Sequence, residues 1–493
     1  IKYITNIYKM SNQLPEILSV KPLSTAENME IKTEILDPIS FSNTECTFQI
    51  PKNGILDGGS FVSLAVRTAT GVGDAFLPLK TGIHGLVKSV QLLCGSKVIA
   101  SNDDYAHYTT MTRQFETPEH RANVDMVKSG TCLDRWNQID ATSGRLCPKD
   151  LFWTTVADDN TARCDVPLII TPTSSDATTP VFCVPLSTLV PFMRSRQLPL
   201  FSMKESVYIR IQFNTQTERG DGTICCFTEG SASSGVIVPS QANCKFYSDH
   251  LYYTDGTMAE TQKKVYSENG LSYVYEDLIT TNAQIPATAN PAAGAIVEQK
   301  VERDLAISGR TLRSILMASK TTGATHNLLG NYTADCDLTN SLFNLRINEN
   351  RLWDRDLENP AHKHNELTKV MDKPLQVPNQ LYSYNTDTNK AAADNALNQN
   401  SLFIGRILGH VMPAADNTGA GNDLRGTSHY VGYDATTSGF NVLGNGLRIG
   451  VKPVIVQQTL RRTNGRHTAR EMRVFSNVER IINIKNGEVK VSA

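Results

Sequence analysis

Residues Val181 to Asn214, VFCVPLSTLVPFMRSRQLPLFSMKESVYIRIQFN, restrict the fold more than any other stretch of the chain. Val207, Ile209, Ile211 and Phe213 alternate with Tyr208, Arg210 and Gln212, which puts the apolar set on one face of a strand. Phe182 to Leu186 gives a second short apolar strand. The connection between them, Pro191 to Pro199, is rich in proline and leucine and too apolar for an ordinary solvated loop. A long buried crossover between two strands suits a multi-stranded β-sandwich and not a simple hairpin.

The chain has 493 residues, enough for two domains near the size at which a single core stops growing. A net charge of -1 supplies no global attraction to nucleic acid or to a membrane, so any such contact has to come from a local patch. No apolar run reaches the length of a spanning helix and the start shows no signal-peptide pattern, which predicts a reducing compartment. Ten cysteines are present, none in a C-x-x-C pair or at metal-ligand spacing to a histidine. Cys46, Cys94 and Cys183 sit inside apolar strand candidates, where cysteine acts as a small hydrophobe. Residues 1–9 use only amino acids that AT-rich codons supply, so the natural initiator is expected at Met10, which the intact mass of the natural protein checks.

From Met29 onward short strands are divided by turns: Glu30 to Leu36, Thr44 to Ile50 and Phe61 to Arg67. Strands so spaced, with no helical pattern between them, argue for a sandwich or barrel. Gly85 to Ala100 reads as a hairpin around Cys94-Gly95-Ser96-Lys97. Asp103 or Asp104 then caps a helix carrying Tyr105, Tyr108, Met111 and Phe115 on one stripe. Residues 116–180, anchored by Trp136 and Trp153, read as a long loop insertion, and 215–240 as a second excursion. Phe246 to Tyr253 closes a first unit, and Met258 to Ser267 is a short polar helix at a boundary.

The second half repeats this outline. Leu342 to Ile347, an Asn348-Glu349-Asn350-Arg351 turn, Leu352-Trp353 and a helix from Pro360 to Met371 follow the order of Gly85 to Phe115. Leu447, Ile449 and Val451 alternate as Val207 to Phe213 do, making Leu443 to Val456 the expected counterpart of the opening stretch. Two copies of one β-rich unit are the simplest account.

Four stretches in order carry a resemblance: the opening one, then FYSDHLYYTDGTMAETQKKVYSENGLSYVYEDL, then LFNLRINENRLWDRDLENPAHKHNELTKVM, and the closing INIKNGEVKVSA, which looks like a terminal strand. Together they resemble the double jelly-roll major capsid proteins of polinton-like viruses, virophages and larger DNA viruses, over most of the chain from about Glu30. The resemblance implies an all-β fold of two tandem eight-stranded antiparallel jelly rolls with short helices and long loops. On that reading residues 1–28 form an arm, 29–256 the first roll, 257–269 a linker helix and 270–493 the second roll. It implies a structural capsid protein of a double-stranded DNA virus, located in the virion and assembled inside the host cell. Three copies would form a pseudo-hexagonal capsomer that tiles an icosahedral shell. Penton and minor capsid or cement proteins would be partners, with weak non-specific contact to packaged DNA. Loops 116–180, 215–240 and 410–440 would make trimer contacts or the outward face. Leu198, Pro199 and Leu200 are then the candidate contact between subunits or between rolls, so a charge at Leu198 or Leu200 should impair trimer formation more than folding.

No catalytic grouping competes. His362 and His364 with Glu366 imitate a metal cluster, but i, i+2 spacing sends the imidazoles to different sides of a helix. The phosphate-cradling G-x-x-x-x-G-K and nucleophile-elbow G-x-S-x-G patterns are absent, so no enzyme activity and no cofactor are expected. Arg461, Arg462, Arg466, His467, Arg470 and Arg473 form a basic segment. It reads either as an inward patch facing DNA or as a charged loop pairing across subunits. The second is preferred because aromatic residues for stacking on bases are missing. Asn331-Tyr332-Thr333 matches a glycosylation sequon without secretion to use it. A lectin-like jelly roll or a minor capsid or spike protein is the alternative. A lectin would not need two fused copies and usually shows an aromatic platform or an acidic calcium loop, neither of which the sequence displays, and a cupin-type enzyme would need clustered histidines.

Overall fold

A computed structural model describes residues 29–68, 75–76, 82–113, 124, 126–130, 138–139, 146–147, 169–170, 177–178, 181–214, 227–228, 237–253, 255–286, 297–321, 341–358, 360–371, 430–436, 446–462 and 470–492. Phe115, Trp136, Trp153, the sequon at Asn331, and Arg466 and His467 lie outside these, as does most of the loops 116–180, 215–240 and 410–440.

The first half builds two facing sheets. Their strands in chain order are β1 (Glu30–Leu36), β2 (Glu45–Ile50), β3 (Phe61–Leu64), β4 (Val87–Cys94), β5 (Lys97–Asn102), β6 (Phe182–Pro185), β7 (Val207–Phe213) and β8 (Lys245–Tyr252). Setting aside two-residue strands at Ser40–Phe41 and Ile55–Leu56 on their margins, one sheet runs β1-β8-β3-β6 and the other β2-β7-β4-β5. The strand with the cleanest alternation, β7, is central: Ile209 stands opposite Phe48 on one side and Leu92 on the other. Its Val207, Ile209, Ile211 and Phe213 are all buried while the residues between them are half-buried, as the period of two requires.

The second half contributes β9 (Leu271–Ile285), β10 (Val297–Asp304), β11 (Thr311–Thr321), β12 (Ser341–Ile347), β13 (Asn350–Arg351), β14 (Tyr430–Asp434), β15 (Val454–Arg462) and β16 (Arg470–Lys485). These form sheets β9-β16-β11-β14 and β10-β15-β12-β13. Adding eight to every label of the first pair of sheets gives the second pair, so both halves are eight-stranded jelly rolls of one topology. A further strand, β17 (Glu488–Ser492), pairs back on β16.

The hairpin and helix of each half obey the same local rules. Gly95 between β4 and β5 and Asn348 between β12 and β13 both take a left-handed φ of 59°, which glycine and asparagine tolerate best. Helix α1 (Tyr105–Arg113) follows β5 and buries Tyr105, Tyr108 and Met111 on one stripe; α3 (Pro360–Val370) follows β13. Between the halves lies α2 (Asp255–Val265).

Several sequence expectations are corrected. The counterpart of β7 is β15, Val454–Arg462, and not the alternation at Leu447, Ile449 and Val451. That alternation gives only a two-residue strand, Leu447–Arg448, paired with β11, and then turns: Val451 is 94% exposed and Gly450 has a positive φ of 62°. The loop 410–440 contains β14, hidden in YVGYD because Gly432 packs under α3, where a Cβ would lie 2.7 Å from Val370. The strand after the second hairpin is Asn350–Arg351 and precedes Leu352-Trp353. Phe61 to Arg67 divides at Ala65 into two strands. The closing INIKNGEVKVSA is a hairpin and not one strand, turning at Asn486 and Gly487, whose φ values of 53° and 77° let two residues reverse the chain.

Candidate functional site

The two rolls meet along a joint built mainly from the long strands of the second. β9 has 15 residues and β16 has 16, against 7 and 8 in their counterparts β1 and β8. One face of β9 carries Leu271, Tyr273, Tyr275, Asp277, Ile279, Ala283 and Ile285. Ile279, Ala283 and Ile285 enter the core of the second roll, whereas Leu271, Tyr273 and Tyr275 pack into the core of the first. β16 divides the same way: Met472, Val474 and Val478 belong to the second core, Ile482 and Ile484 to the first. Val489 of β17 joins the first core as well.

A belt of charge marks the point where these strands pass from one core to the other. Arg480 donates to Asp277 at 2.8 Å, on the core-facing side between Tyr275 and Ile279. On the opposite side Arg313 pairs with Glu276 and lies 3.7 Å from Glu479. Burial raises the Asp277 carboxyl above its ordinary range against the opposing pull of Arg480. Burial also lowers Arg313, opposed by the charge on Glu479. Buried charge of this kind is tolerable only when it is paired.

The first roll supplies the other side of the joint. The ring of Phe192, in the β6–β7 connection, stands edge-on to Tyr275 with centroids 4.9 Å apart. Arg196 Nε donates to Val274 O at 2.8 Å, and Tyr273 Oη donates to Gln197 O at 3.2 Å. Tyr275 Oη donates to Ile99 O at 2.6 Å. At the terminal turn, Lys204 N donates to Gly487 O and Asn486 N to Val265 O, both at 2.9 Å. The apolar Pro191 to Pro199 connection is therefore joint material. Within it, however, Leu198 and Leu200 point into the first roll: both are buried in its core, and Leu198 bridges Leu56 through backbone hydrogen bonds of 2.8 and 3.3 Å. Pro199 lies buried between them. Phe192, Arg196, Gln197 and Lys204 make the contact across the joint instead.

A second contact seats α1 on the outer face of β9, β16 and β11. Tyr108 and Met111 pack with Leu278, Leu316 and Phe475, together with Leu367 of α3. At the edge of this cluster Arg473 is 7% exposed and donates to Asp104 at 2.5 Å and to Glu471 at 2.9 Å. His107 Nδ1 lies 2.6 Å from the same Asp104 carboxylate. Burial alone would raise the Asp104 carboxyl, but the charge and hydrogen bonds of His107 and Arg473 outweigh it and hold the group well below the usual carboxylate range. Arg473 is thus a buried clamp between rolls, apart from any DNA-facing surface. Arg461 and Arg462 end β15 and Arg470 opens β16.

His362 is exposed on α3, and Glu366 bonds Lys369 at 2.6 Å. Among the described residues no group of three or more His, Cys, Asp or Glu side chains gathers to hold a metal, and no helix is long and apolar enough to cross a membrane.

The arrangement of two rolls along one chain is shared with solved viral capsid proteins. The PBCV-1 VP54 structure fitted into a reconstruction of the virophage Sputnik aligns with a TM-score of 0.55 at 10% identity, over 95% of this chain and 98% of that one. The Faustovirus major capsid protein aligns at 0.53 and 8% identity, over 95% and 92%. This chain has the double jelly-roll fold. The mavirus major capsid protein matches this double jelly roll at 0.50 and 10% identity over 97% and 95%. No family description matches the chain, and no curated protein matches it in sequence.

The long strands were the signal that motif reading missed. LSYVYEDLITTNAQI and REMRVFSNVERIINIK each carry an apolar residue at most alternate positions, with one charge, Asp277 or Arg480, on the core-facing side at the change of core.

Proposed function

We propose that the chain is a major capsid protein of a double-stranded DNA virus, with a mechanical role. The observation that carries this is the eight-plus-eight topology spanning the chain and nearly the full length of capsid proteins that share it. Three copies associate into a pseudo-hexagonal capsomer, and capsomers tile the shell alongside penton and cement proteins.

The unequal covering of two equivalent faces supports self-association. In the second roll the row Thr280, Phe475 and Leu316 crosses β9, β16 and β11 in register, and α1 of the first roll covers it. In the first roll the matching row is Ile35, Tyr247 and Phe61 across β1, β8 and β3. Tyr247 and Phe61 stack at 4.5 Å, and among the described residues nothing covers Ile31 or Ile35, which are 56% and 60% exposed. An apolar strip on an edge strand invites a partner. A second copy offering what α1 offers within the chain would extend the contact head to tail, and such heterologous contacts close into rings.

Electron microscopy and light scattering of the purified protein test the reading. Trimers of pseudo-hexagonal outline, or shells, are expected; stable monomers at micromolar concentration would overturn it.

A further inference from the structure

Within the core of the first roll two thiols face each other. Cys46 lies on β2 and Cys244 at the approach to β8, in opposite sheets of the sandwich. Their sulfur atoms are 3.8 Å apart, and both residues are buried. Two positions further along each strand, Phe48 faces Phe246 with ring centroids 5.9 Å apart. The two strands therefore run in step across the sandwich, and the cysteines occupy facing positions. Cys244 leaves a turn, with its N–H on Gln241 O, so its backbone enters the ladder only at the next residue.

We propose that Cys46 and Cys244 are a modification site: an oxidisable dithiol that forms a disulfide across the first roll. A disulfide sulfur pair is about 2.05 Å apart, so closure needs an approach of somewhat under about 2 Å, which side-chain rotation and a small shift of the turn supply. A peroxide is the oxidant class that fits so enclosed a site. One thiolate attacks a peroxide oxygen, giving a sulfenic acid and hydroxide. The second thiol then displaces the hydroxyl, forming the S–S bond and releasing water. Overall, two thiols and one hydrogen peroxide give one disulfide and two waters.

The hydrogen bond to Cys244 and burial both push the Cys46 thiol up, so it stays protonated in the closed fold and reacts slowly. The dithiol accordingly survives a reducing compartment and closes only when oxidant is sustained. The bridge would span residues 46 to 244, tying the two sheets and shrinking the unfolded ensemble, an effect that grows with loop length. The second roll has no equivalent, since β10 and β16 contain no cysteine. The inference does not depend on the assembly reading.

The test uses the full chain, purified with reductant, freed of it and treated with hydrogen peroxide before denaturation and alkylation. Peptide mapping should recover a Cys46–Cys244 linked peptide, two hydrogens lighter than the separate thiols and reversed by dithiothreitol. The oxidised chain should run faster on a non-reducing gel and melt several degrees higher, and Cys46→Val or Cys244→Ser should abolish both changes. Recovery of Cys46 and Cys244 as separately alkylated peptides from peroxide-treated wild-type protein would overturn the proposal, as would a link from either to another cysteine.

Discussion

The two jelly rolls share a strand order but not a division of labour. The second roll closes a core with its own residues, from Ile285 to Val478. The core of the first also takes Tyr275, Ile482, Ile484 and Val489 from the other half. The cause is strand length. At about 3.3 Å per residue, β16 runs roughly 50 Å, about twice the reach of β8, and its surplus has to find an apolar surface elsewhere. Duplicating a topology therefore need not duplicate independence: the first roll is folded around a piece of the second.

The largest test of this asymmetry is a charge inside the first roll. Leu198→Asp buries a carboxylate in an apolar core and should cost about 4 kcal/mol or more, enough to abolish cooperative folding in a urea titration. This outcome replaces the sequence expectation that association would suffer before folding. Next comes the belt where the cores change over. Arg480→Ala strands Asp277 in a buried position and should lower stability by about 3–5 kcal/mol; replacing both partners by apolar residues should recover most of it.

Val489→Ala sharpens the comparison further. It removes two methyl groups from the first roll's core and should cost about 2 kcal/mol, by burial of about 0.8 kcal/mol per group plus a small cavity. If calorimetry separates two transitions, the first roll's should move although the substitution lies in the second half. Movement of the other transition alone would break the comparison.

The α1 clamp responds to acid. The folded Asp104 carboxyl sits below its unfolded value near 3.9, so its contribution is complete above that pH and fades as pH falls through the folded value. Asp104→Asn should flatten the stability-against-pH curve below about pH 4, as followed by urea titration at stepped pH. The smallest effect on folding belongs to Ile35→Lys. An exposed residue should shift stability by less than about 0.5 kcal/mol, yet the same change should weaken trimer formation measured by sedimentation. Normal trimers from this variant would remove the uncovered strip from the interface.

Much of this architecture was legible from local pattern. The alternation of β7, the left-handed turn residue after β4 and the stripe of α1 are short-range rules, and the sequence displays them directly. The repeat was visible for the same reason. What failed depended on distant partners. β14 is weakly apolar because Gly432 yields its space to α3, and the alternation at Leu447 and Ile449 meets β11 only over Leu447–Arg448 before it turns out to solvent at Val451. Leu198 and Phe192 read alike as apolar residues of one connection; only the fold sends one inward and the other across the joint. Arg473 likewise looks like its basic neighbours until Asp104, 369 positions earlier, arrives beside it.

The shared core also orders events in time. Residues 30–252 leave the ribosome well before Ile482, Ile484 and Val489, so the first roll waits, incomplete, for strands of the second half. A chain cut short anywhere in the second half would expose that gap and be open to degradation. The hairpin around Asn486 and Gly487, resting on Lys204 and Val265, is in this sense a latch: the first domain closes only once the strands of the second half have been made.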